Sequence, residues 1–275
     1  MTLFLENSFF LNNNISISNK IKHIPLYFLY FSPIIEFHSL DENYKKIGNT
    51  TNNNIQKNIR YKIIRLHYTN ETLFTFTSDK FSRAIYHIFL SCYKLHNNNI
   101  SFTTTEHSFI LGENDMLPIL CDFSQSFNFQ IIKKDILKMY FNKQIMENKY
   151  ISIDVFLICY LLTNNIDIMT PSISSDISES FCNNREKIEI NKIKENINYF
   201  INYNTNTVIT YIMQWKNTWS YYSLCYYFLY NYSNFLCNFS LQPIFETYIH
   251  SSFKERKTDL LQTIHEILFC SNSEL

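Results

Sequence analysis

Gly48 and Gly112 are the only two glycines in 275 residues, and that shortage constrains the fold more than any other feature of the chain. Glycine takes left-handed backbone without a steric penalty and lets a main chain approach and cradle a phosphate. Turns that need positive φ must therefore be built from other residues. A Walker A loop and a G-x-G-x-x-G dinucleotide fingerprint, both of which need closely spaced glycines, are excluded outright. The same chain carries 20 Tyr, 25 Phe and abundant Asn, the residues that an AT-rich genome over-supplies.

Hydrophobic residues make up 46% of the sequence, enough to bury a sizeable core and to argue against wholesale disorder. Lys plus Arg and Asp plus Glu number 24 each. This balance leaves no basic footprint for nucleic acid and no polybasic signal for an anionic membrane. Seven cysteines lie far apart with no C-x-x-C pair. They read as free thiols in a reducing compartment rather than as a disulfide or zinc framework. No basic segment precedes the first apolar run, so a secretory leader is not expected and a cytoplasmic location is. Between Lys216 and Glu246 no charged residue occurs, longer than the ~18 residues that raise the question of a spanning helix. Its many Asn, Gln and Tyr side chains would be costly in hydrocarbon, so a buried Tyr-rich helix is the expectation.

Along the chain, residues 1–23 read as a loose arm or an edge strand, and Ile24–Phe37, interrupted by Pro25 and Pro33, as a strand. Residues 41–59 read as a loop. Tyr61–Thr77 reads as two short strands with a turn at Thr69-Asn70-Glu71. Ser78 or Asp79 then looks like a helix N-cap. Phe81, Ile85, Ile88, Phe89, Cys92 and Leu95 follow at helical spacing until His96-Asn97-Asn98-Asn99. Short strands and turns are expected to about Asn128. Further helices are expected at about 131–147, 150–163, 185–203, 219–233 and 257–269. A strand-rich front thus precedes a helical back.

The informative stretch runs from Leu95 to Phe127, LHNNNISFTTTEHSFILGENDMLPILCDFSQSF. It resembles the catalytic core of the protein kinases, where a helix ends near a Leu-His pair and a catalytic loop, a hairpin and a metal-binding Asp-Phe-Gly follow. In that register Phe102-Thr103-Thr104 takes the place of the family's His-Arg-Asp, and Phe109 the place of its metal-binding Asn. Gly112-Glu113-Asn114-Asp115 reads as the hairpin turn, and Asp122-Phe123-Ser124 stands where Asp-Phe-Gly would be. The chemistry does not survive the comparison. Thr104 supplies no carboxylate to orient a substrate hydroxyl, and Phe109 offers no oxygen to Mg²⁺. No glycine loop is available to cover ATP, and no strand lysine stands out. Asp122 alone remains, and it is expected to sit in an open, wet cleft. Glu106 is the only carboxylate within the loop; His96 and His107 flank the loop as ordinary polar residues.

The resemblance implies a back-end ion pair as well. Tyr248–Thr258 resembles the family's stretch with an arginine that pairs with an acid closing the activation segment. Arg256 is the candidate, with Asp154 as partner. The other reading of Lys254-Glu255-Arg256-Lys257 is a solvated charged turn. Trp219-Ser220-Tyr221-Tyr222-Ser223-Leu224 resembles the start of the family's central buried helix. Ser220 then replaces the Asp that braces the catalytic loop, as though nothing were left to brace. A competing placement starts that helix at Asp154; the Trp219 placement needs an insertion of about 50 residues, a long but tolerable one.

These readings imply an α+β, protein kinase-like two-lobed domain, with a reduced strand-rich N-lobe at 1–77 and a helical C-lobe at 78–275. The implied function is that of a pseudokinase, a non-enzyme binding or scaffolding a protein partner. It is similar to the degenerate kinase-like proteins encoded by large DNA viruses with AT-rich genomes. No cofactor, metal or nucleic acid is expected. Two alternatives stay open: a residual nucleotide-binding enzyme using Asp122 with Glu106, and a membrane-associated structural protein using residues 217–245.

Overall fold

Helix α2, Ser78–His96, is the frame on which the rest is assembled. Phe81, Ile85, Ile88, Phe89, Cys92 and Leu95 are all fully buried, the stripe that their spacing predicts. Asn99 then turns the chain with φ 56°, so an asparagine does what glycine usually does. The computed structural model describes residues 2–4, 8–33, 36–39, 61–64, 78–106, 108–110, 117–133, 136–183, 185–256 and 258–270. Among them positive φ falls on Leu26, Asn99, Asn165, Lys187, Asn202 and Ser240. Three are asparagines, whose short amide tolerates this region; Leu26, Lys187 and Ser240 are held there at a local cost of about 1–2 kcal/mol each.

Before α2 the chain forms strand β1 (Thr2–Phe4), helix α1 (Ser8–Ile21), strand β2 (Glu36–Ser39) and strand β3 (Tyr61–Ile64). The three strands make an antiparallel sheet in the order β1-β3-β2. Strand β1 is the edge strand expected within residues 1–23, but helix α1 corrects that reading for most of the segment. The alternation Ile15-Ser16-Ile17-Ser18 has a strand period, yet Asn13, Asn14, Ile17, Ser18 and Ile21 are buried together, which is a helical face. The strand expected over Ile24–Phe37 is also corrected. Its first part is a turn and a one-turn 3₁₀ helix, Tyr27–Leu29. Phe31 then makes a bridge, parallel to Leu120, before β2. Pro25 and Pro33 remove the donors a longer ladder would need. The loop at 41–59 and the turn at Thr69-Asn70-Glu71 lie outside the described residues.

After α2 come strands β4 (Ile100–Ser101), β5 (Phe109–Ile110), β6 (Ile119–Leu120) and β7 (Phe127–Asn128). They pair β4 with β7 and β5 with β6, both antiparallel. The hairpin turn at Gly112–Asp115 is outside the described residues. The helix expected at 131–147 is instead two single turns, α3 (Leu137–Tyr140) and α4 (Lys143–Met146). Asn142 separates them: its side chain accepts from the N–H groups of Gln144 and Ile145 and starts a new helix.

The remaining helices are α5 (Ile153–Thr163), α6 (Pro171–Cys182), α7 (Ile190–Asn198), α8 (Thr205–Met213), α9 (Trp219–Asn238), α10 (Gln242–His250) and α11 (Leu260–His265). Helices α6, α8 and α10 were not anticipated, and α7 is shorter than the expected 185–203. Short stops explain both: Thr170 and Asn204 cap new helices, and Asn202 turns left-handed after α7. Helix α9 packs against α2 and α10. Nearly all of its first three turns are buried, including Trp219, Tyr221, Tyr222, Leu224, Tyr226 and Phe228. Among the described residues no helix is long and apolar enough to cross a membrane. The protein is thus mostly helical with little strand, an α+β chain, and Ile17, Ile21 and Phe31 from its front end share one apolar core with α2, α5 and α9.

Candidate functional site

The loop from Phe102 to Thr105 is held by its own main chain. Four consecutive N–H groups each donate to a serine hydroxyl, two of them from α9 and two from the segments around the loop. Phe102 donates to Ser220 (2.8 Å), Thr103 to Ser126 (3.3 Å), Thr104 to Ser223 (2.9 Å) and Thr105 to Ser108 (2.6 Å). Thr104 O accepts from Asn148 Nδ2 at 2.9 Å, and the same amide nitrogen reaches Gln125 Oε1. A run of free N–H groups can serve as an anion-binding nest; here all four are spent inside the protein.

Ser220, on the first turn of α9, is the hub. Besides Phe102 N–H, its Oγ lies 2.9 Å from His96 Nε2 and 3.1 Å from Ser101 Oγ. One hydroxyl accepts two hydrogen bonds and donates one, so three partners saturate it. This corrects the expectation that Ser220 faces a loop with nothing to brace. His96 is partly buried, and desolvation of its ring pushes its pKa down to about 4, so the ring is neutral at physiological pH.

The other sequence-derived positions gather around this loop. Thr104 is fully buried and its hydroxyl has no partner among the described residues. Phe102 packs edge-on against Phe123 (5.8 Å between ring centres), Phe123 against Phe31 (6.3 Å), and Phe109 against Tyr227 (4.9 Å). Rings therefore fill the space between loop, hairpin and α9. Asp122 is half-buried, and both its oxygens are engaged: Oδ2 accepts from Thr105 Oγ1 at 2.7 Å and Oδ1 from Ser124 N–H at 3.0 Å. These contacts correct the expectation that Asp122 is idle. Asn13 on α1 then clasps the next turn, its Nδ2 donating to both Ser124 O and Ser126 O at 2.8 Å. Glu106 is exposed and faces Lys149; His107 lies outside the described residues.

Asp154 and Arg256 meet away from this loop, where Arg256 Nη1 donates to Asp154 Oδ2. Both side chains are fully buried. Asp154 sits in the first turn of α5, where the helix dipole favours a carboxylate. The guanidinium lies over Tyr222 (4.7 Å) and Phe253 (5.6 Å). Burial pulls the Arg256 pKa down, but the charge and hydrogen bond of Asp154, together with Tyr222 and Tyr248, more than offset it and leave the pKa above the ordinary arginine value. The solvated-turn reading of Lys254–Lys257 does not hold for Arg256.

Arg185 was not singled out from the sequence. It is buried on backbone carbonyls: Nε donates to Lys149 O (3.0 Å), Nη2 to Asn148 O (2.9 Å) and Nη1 to Phe181 O (2.6 Å). It thereby positions Asn148, the residue that holds Thr104 O. Nothing in Cys182-Asn183-Asn184-Arg185-Glu186-Lys187 distinguishes it from a solvated charged turn. Among the described residues, no three His, Cys, Asp or Glu side chains gather where they could share a metal ion. No family model matches this sequence, and no curated protein matches it either.

Proposed function

We propose that the chain is a kinase-like domain that has given up phosphotransfer and works as a binding or scaffolding module for a protein partner. The observation that carries this is the state of the loop at Phe102–Thr105. A catalytic loop must present a carboxylate to a substrate hydroxyl. Here the corresponding residue is a fully buried threonine, pinned through N–H by Ser223 and through C=O by Asn148. Ser220 of the buried helix α9 holds Phe102 N–H, the bracing role the family gives to an aspartate. The loop keeps its support and loses its chemistry. Asp122 serves the same end as an internal acceptor for Thr105 and Ser124. Three buried free thiols, Cys92, Cys159 and Cys225, fit a reducing compartment such as the cytoplasm.

The test is a thermal-shift titration of the purified chain with ATP and Mg²⁺, run beside Asp122→Asn and accompanied by an assay for phosphate transfer to a generic protein substrate. Neither stabilisation nor transfer is expected. Saturable stabilisation that Asp122→Asn abolishes would overturn the reading in favour of a residual nucleotide-binding enzyme.

A further inference from the structure

On the surface beside the braced loop, the ammonium of Lys149 is surrounded by two tyrosines and an acid. Its Nζ lies 4.3 Å from the ring centre of Tyr230, 5.0 Å from that of Tyr150 and 3.3 Å from Glu106 Oε1. The two rings stand almost perpendicular, at 78°, with centres 6.4 Å apart. Crossed aromatic faces with a carboxylate at the rim are the physical make-up of a cation cage. The ring quadrupoles attract a partly desolvated positive charge and the acid adds its field. Burial pushes the Lys149 pKa down, but Tyr150, Glu106 and Tyr230 more than offset that and hold it above the ordinary lysine value.

The walls do not depend on the lysine. Tyr150 is only 2% exposed. It packs on Tyr226 and Tyr227 at 6.2 and 5.2 Å, and its hydroxyl accepts from Asn231 Nδ2 at 3.3 Å. Tyr230 rests on Tyr226. The occupant is less constrained: Arg185 pins the Lys149 carbonyl, but the side chain is 28% exposed and swings on a four-carbon stem. Glu106, at the mouth, is 67% exposed. The cage is preformed, faces solvent and is filled by a movable group of the same charge and shape as a lysine from another chain.

We propose that Glu106, Tyr150 and Tyr230 form a recognition site for a lysine-type ammonium on a partner protein, with Lys149 filling it in the free protein as an intramolecular competitor. The site needs only this cage and stands whether or not the fold is kinase-like, so its failure leaves the function proposed above untouched.

Lys149→Ala in the full chain empties the cage. Ligand-observed NMR with n-butylammonium and with tetramethylammonium, against sodium chloride at equal ionic strength, measures what enters. The expected result is saturable, millimolar binding by Lys149→Ala and binding at least about two-fold weaker by the parent, whose own ammonium competes at an effective millimolar concentration. Adding Tyr230→Ala should abolish the binding with an unchanged melting temperature. Binding by neither form, binding that survives Tyr230→Ala, or equal binding by the parent overturns the proposal. Should the variants fold poorly, the parent itself gives the answer. Tetramethylammonium that enters the cage must release Lys149 and speed its acylation by an N-hydroxysuccinimide ester, read by mass spectrometry; an unchanged rate overturns the proposal.

Discussion

Replacing Arg256 with alanine takes a guanidinium out of the interior and leaves its acid behind. Both side chains of the pair are fully buried, so water cannot take the cation's place without opening the fold. Removing one member of such a pair destabilises by about 3–5 kcal/mol, because the desolvated partner is stranded. Loss of the guanidinium packing over Tyr222 and Phe253 adds roughly 0.5–1 kcal/mol, which puts the expectation near the upper end of that range. Against a total stability of about 5–15 kcal/mol for a domain this is a large share. Urea denaturation followed by circular dichroism measures it, provided the slope with denaturant is unchanged. A second variant separates a stranded charge from a lost contact. Arg256→Met combined with Asp154→Leu removes both charges, fills the space and should recover most of the loss. If Arg256→Ala alone lowers stability by less than about 1 kcal/mol, the acid is reaching solvent and the pair is not the interior tie described here.

Three further outcomes follow from the braced loop. Ser220→Ala strands Phe102 N–H and breaks the contacts to His96 and Ser101; a loss of about 1–3 kcal/mol and faster exchange of the Phe102 amide are expected, and native-state hydrogen exchange checks both. Asp122→Asn keeps an acceptor for Thr105 or Ser124 but removes the charge, so it should lower stability by about 1–2 kcal/mol, less than Arg256→Ala in the same denaturation series. His96, whose pKa falls to about 4 in the folded protein, is neutral there while the unfolded chain binds a proton near pH 6.5. Stability is therefore complete above about pH 6.5, declines by roughly 3 kcal/mol as pH falls to about 4, and loses nothing more from this group below that. His87 and His250 shift in the same direction through burial. Denaturation midpoints between pH 4 and 7 should consequently flatten, but not level, in His96→Gln; an unchanged slope would show that His96 is solvated.

Local patterns carried the parts of this protein that local physics controls. The stripe Phe81–Leu95 and the break at His96–Asn99 placed α2, because an amphipathic helix writes its burial into a spacing of three and four. The scarcity of glycine pointed to turns made by other residues, and Asn99, Asn165 and Asn202 make them. Where two periods competed, tertiary contacts decided: Ile15-Ser16-Ile17-Ser18 alternates like a strand, but burial of the Asn13–Ile21 face made it helical. The meeting of Asp154 and Arg256 was read through a family resemblance, never from spacing, since 102 residues separate them. Of the serines that hold the loop, Ser220 was marked only by its place in the family resemblance, and the others left no trace in the sequence. A hydroxyl is about equally at home in water and in a hydrogen bond to a backbone N–H, so Ser126, Ser220 and Ser223 look like any surface serine until α9 packs beneath Phe102–Thr105. The same holds for Arg185 and for the rings around Lys149. The sequence by itself therefore determined where α2 begins, ends and turns its apolar side, and which phosphate-binding loops were impossible. Only the tertiary structure decided which polar atoms meet across a hundred residues, because those energies exist only after the apolar faces have docked.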